Sequence, residues 1–150
     1  MTIRFVIAAS LAVVAASFSL QARPIESWPY DKLREKSDLI VIVYVFSNAD
    51  AANQTAEKPP ASYLIRVKTV FRIQTVLKGE YKDEELTLLH YRLKENATVI
   101  NGPMLVSFAP SERKSVEFLL FLKKQKDGTY EFVSGQTDPI LSVRSIGGQR

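Results

Sequence analysis

The chain has 150 residues, a formal net charge of +4, one histidine and no cysteine. That length suits one domain with a core that stands without staples, and the missing thiol excludes disulfides, cysteine nucleophiles and cysteine-ligated metal. The small excess of Lys and Arg is scattered, which argues against nucleic acid as a partner, because nucleic-acid faces cluster their cations.

Residues 1–22 carry the pattern of a secretory signal peptide. Arg4 gives the head its charge, Phe5 to Phe18 is an apolar run relieved by Ala and Ser, and Ser19-Leu20-Gln21-Ala22 is a small-residue exit. Cleavage after Ser19 or Ala22 implies a periplasmic or extracellular destination. The apolar run falls short of the roughly 20 residues a membrane span needs, so no stable membrane anchor is expected after cleavage. A retained leader tethering a periplasmic domain is the alternative. No cysteine is present to carry a lipid, and the lack of disulfides in an exported chain favours a bacterial source.

Residues 23–37 read as a lead-in and a short helix. Pro29 suits a first turn, Asp31 complements the positive end of the helix dipole, and Leu33 points inward. Trp28, the only tryptophan, is expected to plug one end of the core.

Residues 38–146 read as a β domain and 147–150 as a frayed tail. Leu39 to Phe46 is continuously apolar and β-branched, as a strand covered on both faces should be. Residues 47–62 hold Asn48, Asp50, Asn53, Pro59 and Pro60 and read as a long loop. From Tyr63 to Leu77 the pattern alternates, with Ile65, Val67, Thr69, Phe71, Ile73, Thr75 and Leu77 on one face, so a long strand with one core face is expected. Leu86 to Leu93 is its hairpin partner. Met104 to Phe108 reads as a short strand between the irregular 94–103 and a polar loop at 109–115. Val116 to Leu122 is a buried strand, Asp127-Gly128 a hairpin turn and Tyr130 to Val133 the return. Ile140 to Ile146 adds a last short strand.

Five or six antiparallel strands with so much two-sided apolar sequence need closure or a second layer. The expected fold is all-β with minor α: a small closed barrel of the OB type with one short N-terminal helix. A two-sheet sandwich is the alternative.

Chemistry-bearing residues are sparse. His90 lies inside a strand and reads as a partly covered strand residue. One histidine without cysteine makes no ordinary zinc site, so neither metal nor cofactor is expected. Asp83, Glu84 and Glu85 are adjacent in a polar turn and read as solvent-facing. Ser134, Gln136 and Asp138 gather a hydroxyl, an amide and a carboxylate at one end of the sheet. Their plain reading is turn chemistry, with Asp138 before Pro139 making an Asx turn.

Three segments carry a resemblance. Ser37-Asp38-Leu39-Ile40-Val41, Phe71-Arg72-Ile73-Gln74-Thr75-Val76-Leu77-Lys78-Gly79-Glu80 and Phe118-Leu119-Leu120-Phe121-Leu122 resemble the strand signatures of the netrin-like module, which includes the tissue inhibitors of metalloproteinases. The resemblance spans about residues 37 to 134 and implies an OB-type barrel that serves as a binding module. Those inhibitors grip the protease zinc through an N-terminal cysteine, which this chain lacks, so no metal-gripping residue carries over.

The functional expectation is therefore an exported, non-enzymatic β-barrel module that binds a protein or glycan, with Ser134, Gln136 and Asp138 as candidate binding residues. A small periplasmic hydrolase with its site near Ser134 to Asp138 and His90 is the alternative.

Overall fold

In the computed structural model, residues 23–51, 59–108 and 116–146 are described. The expected leader at 1–22, the tips of the loops at 52–58 and 109–115, and the tail at 147–150 lie outside the described residues. Helix α1 spans Tyr30–Lys36, and six strands follow: β1 Leu39–Asp50, β2 Leu64–Lys78, β3 Glu85–Leu93, β4 Glu117–Lys124, β5 Tyr130–Phe132 and β6 Val143–Ile146. They form one antiparallel sheet in the order β3-β2-β1-β4-β5, curled nearly into a barrel, with β6 also paired to β4.

The two faces of β1 explain the apolar run at its start. Leu39, Val41, Val43 and Val45 point into the barrel, where they meet Phe71, Leu86, Leu88, Phe108, Leu120, Leu122 and Phe132. Ile40 points the other way, into a second cluster with Leu33, Leu119 and Phe121 beneath α1. Trp28 packs against this outer cluster, with the Lys32 ammonium 4.2 Å from its ring centroid. It therefore seals the helix layer, not an end of the barrel as expected. The last turn of α1 is held by Lys78, whose Nζ donates to Arg34 O and Ser37 O at 2.7 and 2.6 Å.

Three bulges curl the sheet. Along the β1–β2 ladder, Phe46 on β1 and Gln74 and Leu77 on β2 have no opposite residue. Each bulge bends its strand and shifts the in–out phase by one residue. This corrects the expected face of β2. Val67, Thr69 and Phe71 are buried as expected, whereas Thr75 is exposed, Leu77 is 54% exposed, and Val76 packs against the core instead. Strand β1 also runs on through Ser47–Asp50, which had read as loop, because those polar residues pair with Val70 to Val67 of β2.

Gly79 ends β2 with φ +83°, and a Cβ placed there would lie 2.3 Å from Asp38 O. Gly79→Ala is expected to cost about 1–3 kcal/mol, from the left-handed backbone and the displaced carbonyl. A lower midpoint in urea denaturation would show it.

Strands β5 and β6 lie end to end along one edge of β4. Leu122, Lys123 and Lys124 pair with Phe132, Glu131 and Tyr130, and Glu117 to Leu120 pair with Ile146 to Val143. The insert between them holds the 3₁₀ turn Pro139–Ser142.

The barrel seam lies between β3 and β5. Ile73 N donates to Glu84 O and Lys94 N donates to Tyr63 O, both at 2.9 Å, and the β2–β3 register between them is unbroken. Even-numbered residues of β3 therefore bond to β2. Glu85, Thr87, Leu89, Tyr91 and Leu93 turn their backbone groups to the seam. Among the described residues no backbone ladder joins them to β5. A side chain spans the gap instead: Gln136 Nε2 donates to Leu89 O at 3.1 Å.

Residues 104–108 form no strand, contrary to expectation. They carry Phe108, fully buried, into the core cluster of the barrel. A side chain substitutes for a ladder here too, because Asn48 Nδ2 donates to Phe108 O.

Candidate functional site

The three residues singled out by sequence are near neighbours, but most of their polar atoms hold the chain together. Asp138 Oδ1 accepts from Met104 N at 3.2 Å and from the Arg23 guanidinium. Arg23 also donates to Gly102 O at 3.4 Å. Ser134 Oγ donates to Asp138 O at 2.7 Å, and Ser142 Oγ both donates to Ser134 Oγ and accepts from Ser134 N. The lead-in, the 102–104 segment and the insert between β5 and β6 thus meet at one carboxylate. The expected local Asx turn gives way to contacts spanning 34 and 115 residues of sequence. Asp138→Ala is expected to cost about 1–2 kcal/mol, since it removes the partner of a half-buried amide and of the Arg23 guanidinium, and faster hydrogen exchange at Met104 N would locate the loss.

His90 is 2% exposed, which corrects the partly covered reading. Its ring meets Phe108 edge-on at 5.3 Å. Its Nε2 lies 2.8 Å from Thr69 Oγ1, which donates to Asn48 Oδ1 at 3.3 Å. The shared Thr69 hydroxyl lets His90 Nε2 donate or accept, according to the ring's tautomer. Nδ1 has no partner among the described residues. Burial lowers the histidine pKa to about 4, against a small opposing effect of the Tyr91 backbone. The ring is neutral, internal and engaged, and it serves packing.

Gln136 belongs to a different site. Together with the outward faces of β2 and β3 and the β4–β5 hairpin, it lines a cleft of about 830 Å³. Alternation builds one wall: Leu86, Leu88 and His90 turn inward, so Thr87, Leu89 and Tyr91 face out, beside Lys68 and Arg66 of β2. The opposite wall is the hairpin from Gln125 to Glu131. Its turn has the expected chemistry, with Gly128 at φ +87° and Asp127 Oδ1 accepting from Thr129 N and Oγ1 at 2.9 and 2.6 Å.

The two ends of the cleft differ. At one end Tyr81 and Tyr130 meet edge-on at 5.7 Å, and Tyr81 Oη donates to Glu85 O at 3.0 Å. Asp83, Glu85, Asp127 and Glu131 are carried there by the same turn, strand and hairpin. Burial first, then Asp83 and Tyr130, pushes the Tyr81 phenol above its ordinary range. At the other end Arg66 is 6% exposed and donates from Nη2 to Tyr91 Oη at 3.1 Å; Lys68 is its neighbour on that face. Gln125 Nε2 and Gln136 Oε1 are buried and have no partner among the described residues.

Of the candidates read from sequence, only Gln136 reaches this cleft. Tyr81, Tyr91, Tyr130, Arg66 and Lys68 were missed. The available signal was the outward half of the β3 alternation, a tyrosine and a threonine where a plain solvent face would carry charge, followed by an Asp-Gly hairpin ending in Tyr130. Among the described residues no group of three or more His, Asp or Glu side chains is placed to hold a metal ion, and no helix is long and apolar enough to cross a membrane. No protein-family model, curated protein or solved structure matches the chain.

Proposed function

We propose that the chain is an exported, non-enzymatic binding module that works through the cleft between the β2–β3 face and the β4–β5 hairpin. The observation that carries the reading is the cleft itself: about 830 Å³ walled by tyrosines, carboxylates, two cations and two incompletely satisfied amides. Binding sites have this size, with a few polar groups fixing the ligand, and a buried polar atom without a partner calls for an explanation that a bound ligand supplies. The engagement of Ser134 and His90 in structural hydrogen bonds supports a non-catalytic role. The antiparallel sheet, nearly closed into a barrel in the order β3-β2-β1-β4-β5, is the kind of architecture an OB-type binding module would have. The leader pattern at 1–22 supports delivery to the periplasm or the cell exterior, with a protein or glycan as the partner.

Two measurements test the reading. The mass of the chain recovered outside the cytoplasm should correspond to a start at residue 20 or 23; an intact Met1 argues against export by cleavage. Capture of an envelope component by immobilised wild-type protein should fail with Lys68→Glu/Tyr130→Ala and persist with a substitution on the opposite face, such as Arg34→Ala. Equal capture by both variants removes the cleft from the reading.

A further inference from the structure

The binding reading leaves the ligand's chemistry open, and the layout of the cleft narrows it. We infer that the occupant is an extended polypeptide segment of mixed charge, lying lengthwise along the cleft. This inference rests on the binding-module reading and deepens it.

Three observations converge. The first is length. From Glu85 to Tyr91 the wall runs six residue steps along one strand, roughly 20 Å at the strand rise. An extended segment of about six or seven residues has the same span.

The second is polarity. The cleft carries Asp83, Asp127 and Glu131 toward one end and the Lys68 ammonium toward the other; Glu85 is already paired with Arg72 at 3.4 Å, and Arg66 is buried and bonded to Tyr91. A segment with cations only is repelled at the basic end and one with anions only at the acidic end. A neutral saccharide answers neither the carboxylates nor Lys68. A chain with a lysine or arginine toward one end and an aspartate or glutamate toward the other satisfies both, and complementarity of this kind sets register and specificity.

The third is the amide chemistry. The Gln136 carboxamide already sits where a peptide group would, donating to a seam-facing carbonyl of β3 while its own oxygen is idle. Across the cleft, Gln125 Nε2 is an idle donor. One idle acceptor and one idle donor are the complement of a peptide unit. Each is buried without a partner, and a modest rotation of either side chain toward the cleft gives it a hydrogen bond to the ligand.

The test is a titration of the isotope-labelled full chain, followed by amide and glutamine side-chain resonances. The probes are seven-residue peptides of valine and threonine ending in one lysine and one glutamate, in both orders, or in two lysines, or in two glutamates. A neutral tetrasaccharide of N-acetylglucosamine is the fifth probe. A mixed-charge peptide is expected to bind at least tenfold tighter than either single-sign peptide, with shifts at Tyr91, Tyr130 and the Gln125 and Gln136 carboxamides. Lys68→Glu should move the preference to the two-lysine peptide by about tenfold, and an unchanged spectrum elsewhere would show that its fold is kept. Equal binding of all peptides, or shifts outside the cleft, overturns the inference. Binding of the saccharide at the cleft without the peptides also overturns it while leaving the binding-module reading standing. Silence of the cleft toward every probe defeats the inference, and the capture experiment above then decides the broader reading separately.

Discussion

Phe108→Ala is expected to remove about 3–5 kcal/mol of stability, the range for deleting a large, fully buried aromatic side chain, and is the most damaging single substitution considered. Phe108 is the hub of the barrel's aromatic core. Its ring meets Phe71 at 4.9 Å, Phe118 at 5.2 Å and His90 at 5.3 Å, all edge-on, and stacks on Phe132 at 6.2 Å. Removing it leaves a cavity bordered by four rings, and each loses a contact beyond its share of buried area. The residue also sits in a segment without strand pairing, so side-chain packing and the Asn48 bond do what a ladder does elsewhere. Urea denaturation should show a lower midpoint with an unchanged slope. A loss below about 1 kcal/mol would mean that residues 103–108 are not seated in the barrel.

Acidification is expected to weaken the fold through His90, by about 3 kcal/mol between pH 6.5 and pH 4. The folded pKa is about 4, below the ordinary value of 6.5. As the pH falls, the unfolded chain takes up the proton first, so protonation favours unfolding. The contribution is fully present above about pH 6.5, is lost progressively as the pH drops toward 4, and changes little below that. Protonation charges a ring that burial keeps from water, and Nδ1 has no hydrogen-bond partner among the described residues to share that charge. His90→Leu removes the titration: stability at neutral pH falls by the lost Thr69 hydrogen bond, but the slope between pH 6.5 and 4 should flatten. A slope identical to wild type would assign the acid sensitivity to carboxylates instead. Because the His90 and Phe108 rings touch, the two substitutions should not be additive.

Much of the architecture is legible in the sequence because it is local or strongly patterned. Leu39 to Phe46 reads as a strand covered twice, since eight apolar residues in a row admit little else, and the Asp127-Gly128 turn announces its hairpin. What escapes reading is set by partners distant in sequence. Ser47–Asp50 extend β1 because β2 is long enough to pair with them. Leu77 is exposed because the bulge at Gln74 shifts the phase of β2 and Leu77 is itself the next bulged residue, and nothing in the local alternation marks where the bulges fall. Phe108 belongs to the core although its neighbours never form a strand. For the site, His90 and Ser134 stood out by residue type and prove to be packing and strapping groups. The cleft residues stood out less, because tyrosines, a lysine and an arginine on strands look like ordinary surface until the hairpin is folded opposite them.

The end-to-end seating of β5 and β6 on β4 has a consequence for the chain's fate once cut. Val143–Ile146 covers the stretch of β4 that contains Phe118, Leu119 and Leu120. A proteolytic fragment ending at residue 142 presents that apolar ribbon with its amides and carbonyls uncovered, a template on which a second molecule's strand can lie. The last strand thus guards against self-association, and trimming of the C-terminus should turn a monodisperse preparation into one that forms fibrils.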